Sequence, residues 1–151
     1  MKSNRLFYLV VFLISISLLS YGYYLQFVEG LEPCPLCIFQ RVAFIAIIAF
    51  AFIGTVHGPQ QLGRYVYSSL ILISALVGAS IATRQVWLQH LPADLVPECG
   101  PGLDFMLDVF PLGETLKMVF TGSGECAKVD WTFLGFSIAE LSLAWFVTFA
   151  L

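Results

Sequence analysis

Between Leu6 and Val28 the chain runs for 23 residues without a charge. As a helix rising ~1.5 Å per residue, that run exceeds the ~30 Å thickness of a bilayer's hydrocarbon layer. Two further apolar stretches follow. Ile38 to Val56 is interrupted only by Gln40 and Arg41, and Tyr65 to Thr83 is bounded by Arg64 and by Arg84-Gln85. A fourth, Trp131 to Leu151, is just long enough to span and contains Glu140. Of 151 residues, 59% are hydrophobic and 11% charged, against roughly 25% charged in soluble domains, so a water-soluble globule is excluded. A net charge of -3 leaves no basic surface for nucleic acid. The expected fold is an all-α integral membrane protein, a single membrane domain over 1–151. Its four-helix transmembrane bundle comprises helices at about 6–28, 38–56, 65–83 and 131–151. Lys2 and Arg5 precede the first run as they would in a signal peptide. That reading fails on the length of the run and on the lack of an A-x-A-like site after Tyr21-Gly22-Tyr23-Tyr24.

The segments between these helices differ in charge. Lys2, Arg5 and Arg64 occupy short stretches without an acid, which places those stretches and both termini on the cytoplasmic side. Segments 29–37 and 87–130 are then periplasmic in a bacterium, and the second carries seven of the ten acids. Trp87 and Trp131 mark its two membrane entries. Within it, Leu103, Met106, Leu107 and Phe110 recur at i, i+3, i+4 and i+7 opposite Asp104 and Asp108, and Pro111 follows. This pattern predicts a short amphipathic helix, lying on the membrane or packed on the bundle.

On this topology all four cysteines, Cys34, Cys37, Cys99 and Cys126, fall on the oxidising side. Cys34-Pro35-Leu36-Cys37 is a C-x-x-C at the start of the second helix, able to close a small, readily exchanged disulfide. Pro35 suits the first helical position and sets Cys37 in the first turn, where the helix dipole favours a thiolate. Arg41, four residues on, shares its face and is expected to favour the sulfur anion further, while Glu29 and Glu32 oppose ionisation at Cys34. Cys99 and Cys126 bracket 26 residues, with Pro97 and Pro101 beside the first and Gly122 and Gly124 beside the second, and both are expected to be mobile and accessible. Structural disulfides are a poor account of a C-x-x-C, because so small a loop gains little stability. A zinc site lacks the second C-x-x-C pair it normally uses, so no metal is expected. Two communicating redox disulfides account for every placement.

CPLCIFQR from Cys34 to Arg41, WLQHLP from Trp87 to Pro92 and SGECAKVDWTFLG from Ser123 to Gly135 resemble the bacterial disulfide bond formation protein B (DsbB) family, over nearly the whole chain. Relatives of vitamin K epoxide reductase place their loop cysteines before the C-x-x-C, the opposite order. The resemblance implies a thiol to quinone oxidoreductase that reoxidises a periplasmic DsbA-like dithiol oxidase. It further implies that Cys99 and Cys126 form the disulfide that accepts electrons from the partner, and that a partner thiolate attacks Cys99. Cys126 then pairs transiently with Cys34, and Cys37 faces the quinone. Arg41 matches the family's quinone-associated arginine. Ubiquinone is the expected acceptor, with menaquinone leaving less driving force from a partner near -120 mV. Some family members carry a histidine at the outer end of helix three, where this chain has Arg84 and Gln85, with His90 further on. Arg41 could otherwise be an interfacial anchor. Glu140 is either functional or a hydrogen-bonding group of the bundle. The competing functions are a non-catalytic membrane scaffold braced by disulfides and a dedicated DsbB-like oxidase for one substrate.

Overall fold

The computed structural model describes residues 2–100 and 103–151, with the side chains of residues 2–4 undescribed. The Lys2 side chain and Pro101, both invoked above, therefore lie outside the described residues. The elements in chain order are α1 (Lys2–Phe27), α2 (Pro35–His57), α3 (Gln61–Gln89), α4 (Leu103–Val109), α5 (Leu112–Thr121), α6 (Gly124–Ala127), β1 (Thr132–Phe133), β2 (Phe136–Ser137) and α7 (Ile138–Ala150). Helices α1, α2 and α3 are each long and apolar enough to cross a membrane.

Helix α2 packs against both α1 and α3, and α3 also packs against α7. Small residues make this close packing possible. Ala43, Ala51, Ala75 and Ala82 are buried with Phe44, Ile47 and Phe146, and Phe44 stacks on Phe146 with ring centroids 4.3 Å apart. Among apolar spans, such residues let backbones approach where burial from water supplies no drive. The large apolar side chains Leu13, Ile16, Ile45, Phe52, Ile73 and Leu76 face outward instead, as a lipid-facing surface requires. One end of the bundle gathers Arg5 against Gly58, and the Tyr8 hydroxyl donates to the Arg64 carbonyl at 3.1 Å. The cysteines lie at the other end of α2.

The helix ends differ from expectation for identifiable reasons. Gly58 adopts a left-handed conformation (φ 56°) and its N–H closes α2 onto the Gly54 carbonyl at 3.1 Å. Helix α3 runs from Gln61 to Gln89 and not 65–83, so Trp87 is helical and does not open the loop. Arg84 and Gln85 end the apolar run but not the helix. Arg84 finds new partners in the Phe120 and Thr121 carbonyls, at 3.1 and 3.0 Å.

Helix α4 falls on the predicted amphipathic stretch. Its Met106 is buried, whereas Leu107 is half exposed. A second loop helix, α5, follows Pro111 and was not expected.

The stretch predicted as helix from Trp131 is corrected in its first seven residues. β1 and β2 form a hairpin there, turning through Leu134 (φ 53°) and Gly135 (φ 89°). Two consecutive left-handed residues match the turn that a two-residue hairpin needs. Ser137 and Glu140 then form a reciprocal capping box that starts α7 at Ile138. At 13 residues α7 is about 20 Å long.

Candidate functional site

The site grows from the N-terminus of α2. Cys34 is the N-cap and Pro35 the first helical residue, so Leu36 and Cys37 supply the first free backbone N–H groups. The Cys37 N–H donates to Cys34 Sγ at 3.4 Å, and the Cys34 and Cys37 sulfurs lie 3.0 Å apart as thiols. The predicted position of Cys37 in the first turn is thus the observed one.

Cys126 comes to the same point from α6. Its thiol is fully buried and sits within interaction range of the Cys34 thiol, with the Leu36 N–H directed at it and the Ser123 hydroxyl 3.7 Å away. Leu36, Ile81, Leu88, Met106 and Val119 close over these sulfurs as a second apolar cluster, so α3, α4 and α5 together form a lid over the α2 N-terminus. The expectation that Cys126 is accessible is therefore corrected, because the lid seals it against Cys34. Cys99 is exposed. It passes close over α6, where the Gly124 N–H donates to the Glu98 carbonyl at 3.2 Å. A Cβ on Gly124 would stand 3.3 Å from Cys99 Sγ and 2.6 Å from the Pro97 carbonyl oxygen. Three of the four sequence-predicted cysteines are thus clustered, and the fourth lies at the surface beside them.

The protons in this cluster are unevenly held. Cys126 is pushed down to about 6, first by the hydrogen bond from Cys34, against burial, with further help from the Leu36 N–H and from Ser123. Cys34 is pushed well above the usual thiol range because its proton serves Cys126 and Cys37, and burial adds to the effect.

Sequence reasoning did not identify the polar partner of Cys37. Gln85 Nε2 donates to Cys37 Sγ at 3.1 Å and to Cys34 Sγ at 3.4 Å, and its Oε1 accepts from Gln40 Nε2 at 2.6 Å. Both glutamines are 4% exposed. Their available signal was polarity: Gln40 interrupts one apolar run and Gln85 closes another. Ser123 carried no such signal.

Arg41 does not turn to Cys37. Its guanidinium donates to the Gln26 side-chain oxygen and to the Gly22 carbonyl at 3.2 Å, and lies over the Tyr23 ring, 4.7 Å from the centroid. It nevertheless borders, with Cys37, Gln40 and Gln85, a cavity of about 180 Å³ whose other walls include Leu18, Phe44, Leu141 and Trp145. The lining also carries Glu32, Gln89, Glu125, Lys128 and Asp130. Glu140 is explained locally: its carboxylate accepts from the Ser137 N–H at 2.7 Å in the capping box and faces His90 at 3.8 Å.

The family model of the disulfide bond formation protein DsbB matches residues 4–151. Proteins named disulfide bond formation protein B resemble the chain throughout. That of Nitrosococcus oceani is 53% identical over 141 residues, covering 93% of this chain and 83% of the relative. Those of Hahella chejuensis and Methylococcus capsulatus are each 49% identical over 147 residues, covering 97% of this chain and 89% and 90% of the relatives. The chain belongs to the DsbB family of disulfide bond formation proteins and is a disulfide-generating membrane oxidoreductase.

Proposed function

We propose that the four cysteines relay two electrons from a reduced DsbA-like dithiol, through two disulfides, to the cavity beside Cys37. The observation that carries this reading is the convergence of Cys34, Cys37 and Cys126 at one helix N-terminus, with exposed Cys99 on one side and the cavity on the other. The oxidised protein carries Cys34–Cys37 and Cys99–Cys126 disulfides. A partner thiolate attacks Cys99 Sγ, the bond to Cys126 breaks, and Cys126 leaves as a thiolate. Cys126 then attacks Cys34 Sγ, and Cys37 leaves as a thiolate beside Gln85. The partner's second thiol releases Cys99 and closes the partner's own disulfide. Cys99 returns to Cys126, displacing Cys34. Each cycle thus removes two electrons and two protons from the partner. A quinone held in the cavity supplies a two-electron, two-proton sink, and ubiquinone gives a partner near -120 mV more driving force than menaquinone.

The residues around the cavity have separate tasks in this reading. Arg41, anchored on Gln26 and Gly22, presents a fixed cation where a developing quinol oxygen gains charge. Gln85, oriented by Gln40, supplies a hydrogen bond that strengthens as Cys37 becomes anionic. The apolar lid keeps water from Cys34 and Cys126 during exchange.

In the membrane we place four spanning segments over one domain of residues 1–151, the fourth running from Trp131 through α7. Both termini face the cytoplasm of an inner membrane, and segments 29–37 and 87–130 face the periplasm. Arg5 and Arg64 at one end of the bundle and the cysteines at the other support that orientation. A scaffold braced by disulfides would not need a buried amide aimed at its C-x-x-C sulfurs.

The test is quinone reduction, followed by absorbance, when the purified protein meets a reduced DsbA-type partner and a ubiquinone analogue. Rapid reduction that is lost in Cys34→Ser and in Cys99→Ser is the expected result. Absence of reduction with both ubiquinone and menaquinone analogues would overturn the relay.

A further inference from the structure

Ser123 is 8% exposed, precedes the four-residue helix α6 and has its hydroxyl oxygen 3.7 Å from the Cys126 sulfur. Among the described residues no other group hydrogen-bonds to this hydroxyl, and α6 begins at Gly124 without a side-chain cap from Ser123. A serine at a helix N-cap ordinarily turns its oxygen to the backbone N–H two or three residues on. Here that oxygen is turned to sulfur, while the Ser123 carbonyl accepts from the Cys126 N–H at 2.9 Å. The same residue therefore fixes Cys126 by its backbone and addresses the sulfur by its side chain. The Leu36 N–H, which Pro35 leaves as the first free donor of α2, also favours the anion at this sulfur.

We propose that Ser123 is a positioning residue for disulfide exchange, its hydroxyl and the Leu36 N–H together holding the Cys126 sulfur as an anion beside Cys34. This assignment rests on the relay proposed above and specifies its first two steps. When a partner thiolate attacks Cys99 Sγ, the electron pair of the Cys99–Cys126 bond passes to Cys126, and the Ser123 O–H is placed to receive it. The resulting thiolate stands at the sulfur it attacks next, and no proton needs to be taken up or lost between the steps. A leaving thiol of lower pKa departs faster. The exposed sulfur then takes the incoming partner and the buried one leaves.

The test uses the full chain in detergent micelles, with Cys34, Cys37 and Cys99 replaced by serine so that Cys126 is the one thiol read. The ultraviolet absorbance of the thiolate against pH gives its ionisation midpoint without a reagent having to reach the buried sulfur. The expected result is a midpoint raised by about one pH unit in Ser123→Ala and returned to the parent value in Ser123→Thr, which keeps the hydroxyl. In a second background, with Cys99 and Cys126 retained and oxidised, reduction by dithiothreitol should slow about threefold in Ser123→Ala, through the poorer leaving group. A Ser123→Ala midpoint equal to the parent's, or a Ser123→Thr midpoint that follows Ser123→Ala, overturns the assignment. Failure of the relay itself is read elsewhere, as quinone reduction that persists in Cys99→Ser.

Discussion

Gln85 Nε2 stands 3.1 Å from Cys37 Sγ and donates to it, while its own oxygen is held by Gln40 at 2.6 Å. This pair joins α2 to α3 at the depth of the C-x-x-C, and among the described residues neither amide has another side-chain partner apart from Cys34. A carboxamide does not titrate, so this donor serves the sulfur at every working pH.

Gln85→Leu removes the donor to Cys37 and leaves the Gln40 amide buried without its acceptor. A loss of about 1–3 kcal/mol in stability is expected, with a slower quinone reduction. Gln40→Leu should cost a similar amount, and the double variant should cost less than the two together, because it leaves no orphaned amide. Unfolding of the four proteins in a double-mutant cycle measures this. Additive losses would show that the two glutamines do not act as a unit.

Arg41→Lys should be poorly tolerated although it keeps the charge. An ammonium cannot reproduce the planar fork that reaches the Gln26 side chain and the Gly22 carbonyl while lying on Tyr23. The expected outcome is a raised KM for the quinone analogue with a smaller change in kcat. An unchanged KM in both Arg41→Lys and Arg41→Ala would reduce Arg41 to an interhelical tie.

Gly124→Ala tests how Cys99 reaches Cys126. The added methyl would meet the Pro97 carbonyl oxygen at 2.6 Å and the Cys99 N and Sγ at 3.2 and 3.3 Å, two of them backbone atoms that cannot simply rotate away. The Cys99 strand should lift from α6. Under mild oxidation Cys99–Cys126 should then form several-fold more slowly, while Cys34–Cys37 forms normally, as thiol trapping would show. Equal rates for both pairs would mean that the close approach at Gly124 has no part in the loop disulfide.

The parts of this architecture readable from sequence are those governed by local rules. Three long apolar runs dictate α1 to α3, Pro35 sets the register of Cys37, and the periodicity of Leu103 to Phe110 foretells α4. The hairpin was missed because Trp131 to Gly135 is as apolar as a helix start, and the deciding feature, left-handed backbone at Leu134 and Gly135, is a turn property. Burial of Cys126 depends on α4 and α5 folding over α3, a long-range arrangement that no window of sequence contains. Arg41 misled for the opposite reason. The i, i+4 spacing from Cys37 gives a shared face, but Gln26 and Gly22 on α1 offered better acceptors. Gln85 was visible only as a polar residue closing the third apolar run, and only the structure joins it to Gln40 and Cys37.

The uneven holding of protons has a consequence for stability in the reduced protein. Cys126 ionises near 6 in the fold and near ~8.5 as an ordinary thiol. Its contribution is therefore fully present above ~8.5 and is lost as pH falls through about 6. Cys34 has the opposite sign. Its pKa is raised in the fold, so its contribution is fully present below the ordinary thiol value and declines above it. Together they predict a thermal midpoint, measured under a phosphine reductant, that climbs from pH 6 to about 8.5 and then falls. Cys126→Ser should flatten the climb and leave the alkaline decline, whereas Cys34→Ser should remove the decline and weaken the climb, because Cys34 supplies the main hydrogen bond to Cys126. A reduced protein whose midpoint is level across this range, with both variants indistinguishable from it, would contradict the shared-proton arrangement at the α2 N-terminus.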